Sequence, residues 1–222
     1  MKKYLALALA AALTHTACEE KQTAPQQASQ QAAVPQQPTQ QAAAVPEPAE
    51  KAGNSIKTVK IGEQIWMAEN LNIETEGSVC YGNNPENCGK YGRLYNWQAA
   101  TKACPSGWHL PTREEWGKLY HHADGTTPAE PPHQSETSCK NLKSQIGWQN
   151  NENGTDKYGF TALPSGYGTA KGTFALAGTY ASWWSSTEWD TTSAHYRDTG
   201  TADDADDINY KSEYLSVRCV RD

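Results

Sequence analysis

The stretch Cys104-Pro-Ser-Gly-Trp-His-Leu-Pro-Thr-Arg-Glu-Glu-Trp116 constrains this chain more than any other. Pro105-Ser-Gly107 reads as a turn, because proline presets one backbone angle and glycine accepts the left-handed one. Trp108-His-Leu110 is then a short extended piece that Pro111 ends. Thr112 and Glu115 have the spacing of a capping box, in which hydroxyl and carboxylate satisfy backbone amides at a helix start. A helix is predicted from Arg113 to His122, with Trp116, Leu119 and Tyr120 forming one apolar stripe. No catalytic geometry is visible here, and a tryptophan in such a setting fills core volume. The role read for the stretch is structural.

The chain has 222 residues, enough for one ordinary domain with extensions, and its N-terminus carries them. Lys2 and Lys3 precede an apolar run, Leu5 to Leu13, which is too short for a permanent membrane span. Residues 1–17 are therefore read as an export signal. Thr14-His-Thr-Ala-Cys18 resembles a bacterial lipoprotein site, with His15 in place of the usual aliphatic residue. Cys18 is expected to be acylated, which anchors the chain to a membrane without spanning it. The alternative is ordinary cleavage near Ala10–Ala12, which leaves Cys18 a thiol. Loss of Lys2 and Lys3 takes the formal charge from −6 to −8, against a nucleic-acid partner, for which a basic face is expected.

Residues 18–54 are rich in Gln, Ala and Pro and contain no aromatic residue. Such a segment buries too little apolar surface to offset its ordering entropy and is expected to be a flexible tether reaching about 30 to 35 Å. The folded domain is placed at 55–222. Export favours disulfides, yet five cysteines remain after Cys18, an odd number. Local spacing favours Cys80 with Cys88. Cys104 with Cys219, leaving Cys139, is one of the choices that remain, and it would be worth roughly 4 to 5 kcal/mol in the chain-entropy model.

Within the domain, a hairpin is predicted over residues 56–68 with a turn at Gly62-Glu63. Residues 80–88 read as a stapled loop, and a helix is predicted within residues 90–102 from the spacing of Leu94, Trp97 and Ala100. Residues 124–137 read as a long loop, and 138–145 as a short third helix. Trp183 and Trp184 fall on opposite faces of an extended segment, one toward the core and the other toward a second layer or solvent. Leu215-Ser-Val-Arg-Cys-Val220 alternates and reads as the closing strand.

Tyr91-Gly-Arg-Leu-Tyr-Asn-Trp97, Cys104-Pro-Ser-Gly-Trp-His-Leu-Pro111, Asp156-Lys-Tyr-Gly-Phe-Thr-Ala-Leu-Pro164, Trp183-Trp-Ser-Ser-Thr187 and Ser216-Val-Arg-Cys219 occur in this order. With Glu115-Trp116 they closely resemble the Fibrobacter succinogenes major paralogous domain family, over about residues 55–222. The resemblance implies an α+β, C-type-lectin-like mixed domain, also similar to formylglycine-generating enzymes. Two to three helices, small irregular antiparallel sheets and disulfide staples are then expected. It also implies exported, cell-surface proteins, some of them linked to adhesion. No catalytic residue set comes with it.

The function expected is a non-catalytic binding or adhesion module, for glycans or other cell-surface components, on a lipid-anchored protein of the bacterial envelope. An outer-membrane lipoprotein facing the exterior or the periplasm is the expected setting. All eight tryptophans lie in the folded part, and Trp184, Trp189 and Tyr196 are the candidate ligand contacts, since exposed aromatic rings stack on sugars. No cofactor and no metal is expected. His121, His122 and His133 lack ligand spacing, and Asp198, Asp203, Asp204, Asp206 and Asp207 read as a solvated acidic loop more readily than a Ca²⁺ site. Two alternatives stand beside this: a formylglycine-generating-like oxidoreductase using Cys139, with no activating neighbour evident, and a structural envelope or slime component.

Overall fold

The computed structural model describes residues 56–127, 135–200 and 204–222. The predicted signal, the expected acylation site Cys18 and the predicted tether lie outside the described residues, as do His133, Asp203 and half of the loop predicted over residues 124–137. No helix among the described residues is long and apolar enough to cross a membrane.

The hairpin forms as its turn dictates: β1 (Thr58–Ile61) and β2 (Gln64–Met67) pair antiparallel around Gly62-Glu63. Between Cys80 and Cys88 the chain does not remain a loop. Asn84 caps the Glu86 amide and Pro85 begins α1 (Pro85–Tyr91), so the disulfide closes a helical turn. The single helix predicted within 90–102 is also corrected. Gly92, at φ 77°, ends α1; Leu94 and Tyr95 form strand β4 (Leu94–Tyr95); and Asn96, accepting from the Ala99 amide, starts α2 (Trp97–Ala103). Leu94 thus has helical spacing but pairs as a strand, because a glycine and a cap break the periodicity.

The opening stretch folds as read. β5 (Trp108–His109) precedes α3 (Arg113–Asp124), and both halves of the Thr112/Glu115 capping box are made. Glu115 also meets His109 Nε2 at 2.9 Å, while His109 Nδ1 meets Asp222 at 2.7 Å, which ties the helix start to the C-terminus. α4 (Glu136–Leu142) is capped by Ser135 and ends three residues earlier than predicted, and with α1 added four α-helices stand among the described residues.

Further along come β3 (Ser78–Val79), β6 (Tyr167–Gly168), β7 (Phe174–Ala175), β8 (Ala181–Glu188), β9 (Ser193–Thr199), β10 (Asp204–Tyr210), β11 (Leu215–Ser216) and β12 (Val220–Arg221). One sheet runs β1-β2-β12-β5, a second runs β10-β9-β8-β11-β4-β3, and β6 pairs with β7. Among the strands named, every pairing is antiparallel except β11 on β8. The architecture is α+β with disulfide staples. The closing strand is divided: β11 serves the larger sheet and β12 the smaller, and residues 217–219 carry the chain across.

β8 separates two cores. Trp183 packs with Trp66, Trp116, Leu119 and Phe160 on one side, and Trp184 with Tyr95, Leu110, Leu215 and Val217 on the other. Both tryptophans are fully buried, so the choice between core and solvent is resolved as two cores. Trp116 is the hub of the first, with ring centroids 4.8 Å from Trp66, 5.9 Å from Trp183 and 6.2 Å from Phe160. Arg218 lies buried beside it, 4.2 Å from the Phe160 ring.

Cys104 joins Cys219 across 115 residues, and Cys80 joins Cys88 across 8. In the chain-entropy model these contribute about 5 and about 2.5 kcal/mol. Cys104→Ser should therefore lower the denaturant midpoint about twice as far as Cys80→Ser, with ligand specificity unchanged in the protein that remains folded. Equal losses, or altered specificity, would contradict the structural role of this bridge.

Candidate functional site

A groove of about 530 Å³ lies against the larger sheet, lined from β6, β8, β9, β10 and β11. Three half-buried tyrosines line it: Tyr167 from β6, Tyr180 just before β8, and Tyr196 from β9. Between the rings stand polar groups: Ser182, Asp198, Asn209 and Glu213. Strand alternation explains the arrangement on β9. Tyr196 and Asp198 point to the groove side, while His195, Arg197 and Thr199 are buried on the other.

The near wall depends on Gly166-Tyr-Gly168. Gly166 has φ +62°, and a Cβ there would stand 2.3 Å from the Ala175 carbonyl oxygen; the Gly168 amide donates to Tyr214 O at 2.9 Å. The two glycines bring the backbone close enough to its neighbours to fix Tyr167 as a wall. The rim is made by Leu176, 45% exposed and held at φ 63°, a conformation a bulky residue adopts only under constraint. Its carbonyl accepts from the amides of Thr179 and Tyr180, closing a single turn that delivers Tyr180 to the groove.

Burial first, then the carboxylates of Asp198 and Asp207, raise the Tyr196 pKa well above the ordinary phenol value, so its hydroxyl stays protonated. A smaller hollow of about 350 Å³, lined by Thr75, Glu76, Asn96, Gln98 and Lys102, contains no aromatic ring.

Of the three candidate ligand contacts, Tyr196 alone lines the groove, and Asp198 of the acidic run stands beside it. Trp184 is corrected: it has no exposed surface, and its Nε1 donates to Tyr95 O at 2.8 Å, so it cannot offer a face to a ligand. Trp189 is 60% exposed but stands apart from the groove, edge-on to His195 at 5.6 Å. The acidic loop is corrected as well, because Asp204–Tyr210 is strand β10, antiparallel to β9. The Asp206 side chain is buried and accepts from Arg113 Nε at 2.5 Å, with Arg197 Nε and His195 Nδ1 each 3.7 Å away. Burial outweighs that carboxylate and lowers the His195 pKa. The cluster fastens β10 to the start of α3, on the side of β9 away from the groove.

Among the described residues no group of three or more His, Cys, Asp or Glu could hold a metal ion. His121 instead meets Thr126 Oγ1 at 2.9 Å, and His122 packs on Tyr158. Cys139 lies outside both disulfides, is buried, and points its sulfur to Gly200 O at 3.6 Å. Sequence reasoning missed Tyr167 and Tyr180. The Gly-Tyr-Gly spacing was the available signal for the first, while the second comes to the site through a left-handed turn that no residue type announces.

The model of the Fibrobacter succinogenes major domain matches residues 59–221. The chain belongs to this family. No curated protein and no solved structure matches it. The groove therefore lies wholly within the Fibrobacter succinogenes major domain, whose description names neither a reaction nor a ligand.

Leu176→Gly should leave the unfolding midpoint unchanged or raise it, since the left-handed penalty of about 1 to 2 kcal/mol disappears while glycine adds unfolded-state entropy. A loss of more than about 1 kcal/mol in denaturant titration would show that the Leu176 side chain serves packing and not the rim.

Proposed function

We propose that this domain is a non-catalytic binding module and that its groove takes a glycan. The supporting observation is the placement of three tyrosine rings around hydrogen-bonding side chains in one open hollow. Sugars present apolar C–H faces and a fringe of hydroxyls, so they suit aromatic faces interleaved with carboxylates, amides and hydroxyls. Asp198, Asn209, Glu213 and Ser182 supply that fringe. Ile208, 40% exposed, extends the apolar surface at the groove edge.

The setting proposed is the bacterial envelope. Acylation at Cys18 would hold the chain at a membrane, and residues 18–54 would act as the tether that presents the domain to polysaccharide or to another cell surface. No catalytic role is assigned to Cys139, because its side chain is buried and its sulfur lies 3.6 Å from Gly200 O.

Titration of the domain with a panel of oligosaccharides should produce a change in intrinsic fluorescence for at least one of them. Tyr196→Ala should weaken that binding by about tenfold or more, the loss expected for one stacked ring, with the far-ultraviolet circular dichroism preserved. No response to any glycan, or a response that Tyr196→Ala leaves intact, would overturn the proposal.

A further inference from the structure

The groove carries a charge pattern that the glycan reading does not use. Asp198 and Glu213 line it, and among the described residues no lysine, arginine or histidine does. Asp207, exposed on β10, lies directly opposite Tyr196 in the β9–β10 register, and Asp198 lies two residues along β9 on the same face as Tyr196. Two cations on neighbouring elements are engaged elsewhere. Arg113 pairs with Asp206 behind the strand, and Lys211 reaches Glu188 at 2.8 Å and the Trp97 ring at 4.6 Å. Carboxylates therefore face the same space as three electron-rich rings.

Each element of this arrangement favours a positive ligand. A ring face attracts a cation through its quadrupole, and a carboxylate beside it adds direct attraction and a charge-assisted hydrogen bond. Acidic polysaccharides, such as those built from uronic acids or sulfated sugars, would meet like charge in a partly desolvated hollow and are disfavoured. A neutral sugar offers these carboxylates hydroxyl donors but no opposite charge.

Resting on the glycan reading, we infer that the groove is selective for a cationic amino sugar, a hexosamine whose amine is free and protonated. The sugar ring stacks on the tyrosine faces, and its ammonium group sits between the rings and the carboxylates of Asp198 and Glu213. N-acetylation removes the charge while keeping the ring, so the acetylated and free-amine forms of one oligosaccharide isolate the electrostatic part of recognition.

Isothermal titration of the domain with glucosamine oligomers and with N-acetylglucosamine oligomers of equal length tests this, at a mildly acidic pH that keeps amine and carboxylates charged. The free-amine oligomer should bind about tenfold tighter or better, and the margin should shrink as salt is raised. Glu213→Gln and Asp198→Asn should each narrow the margin, with thermal unfolding showing that the variants fold. If Asp198→Asn does not fold, Glu213→Gln alone decides.

Equal binding of the two oligomers would overturn the amino-sugar inference and leave the glycan reading standing. A margin that Glu213→Gln leaves unchanged would overturn it too, and so would tetramethylammonium binding as tightly as the oligomer, which would mean that charge is read without the sugar. Binding of no oligosaccharide of any kind would overturn both readings.

Discussion

The structure depends on one buried guanidinium. Arg218 has no exposed surface, and its Nη2 donates to Asn70 Oδ1 at 2.6 Å, while Nη1 donates to the Phe160 carbonyl. Its planar group also lies 4.2 Å from the Phe160 ring and 5.8 Å from that of Trp183. Burial pushes its pKa down to about 9, which leaves it charged at neutral pH. An ion taken out of water is tolerated only when its donors are met, and here an amide oxygen, backbone carbonyls and aromatic faces share that role. Asn70 Oδ1 also accepts from Trp183 Nε1 at 2.8 Å, and Asn70 Nδ2 donates to Tyr91 O at 2.9 Å. Four separated parts of the chain, near residues 70, 91, 160 and 183, are thereby joined to the residue beside the long disulfide.

This arrangement explains the division of the closing strand. Val217 and Cys219 belong to the core around Trp184, whereas Arg218 turns to the core around Phe160 and Trp183. The backbone there hands its hydrogen bonds to β2 and the segment after it: Met67 donates to Cys219 O at 3.1 Å and Leu71 to Val217 O at 2.8 Å. The chain can then leave one sheet and enter the other without stranding polar groups. With Cys104 bridged to Cys219, the capped helix α3 and its Trp116 are fixed to the same crossing point. The rigid frame this creates supports β8 and β9, and the groove lies on the outer part of that sheet.

Much of the frame was legible in the residues themselves. A two-residue glycine turn is enough to specify the first hairpin, and the Thr112/Glu115 pair specifies the start of α3, because both are local effects. The alternation of Trp183 and Trp184 correctly separated their faces. What it could not show is that both faces are covered, since that depends on chain segments far away in sequence. The same limit applies to β10: a run rich in aspartate resembles a solvated loop until Arg113, contributed by another element, is seen to neutralise Asp206. The site was the least legible part. Tyr167, Tyr180 and Tyr196 come from three separate segments, and only tertiary structure brings their rings together.

The cross-linked scaffold and the proposed tyrosine-lined ligand surface are separate parts of this domain, and mapping the ligand on the protein tests that separation directly. Two-dimensional NMR of the isotopically labelled domain, titrated with the best-binding oligosaccharide, should shift resonances of Tyr167, Leu176, Tyr180 and Tyr196 while those of Trp66, Trp116 and Arg218 stay in place. Shifts concentrated around Thr75, Asn96 and Lys102, or at Trp189 alone, would contradict it.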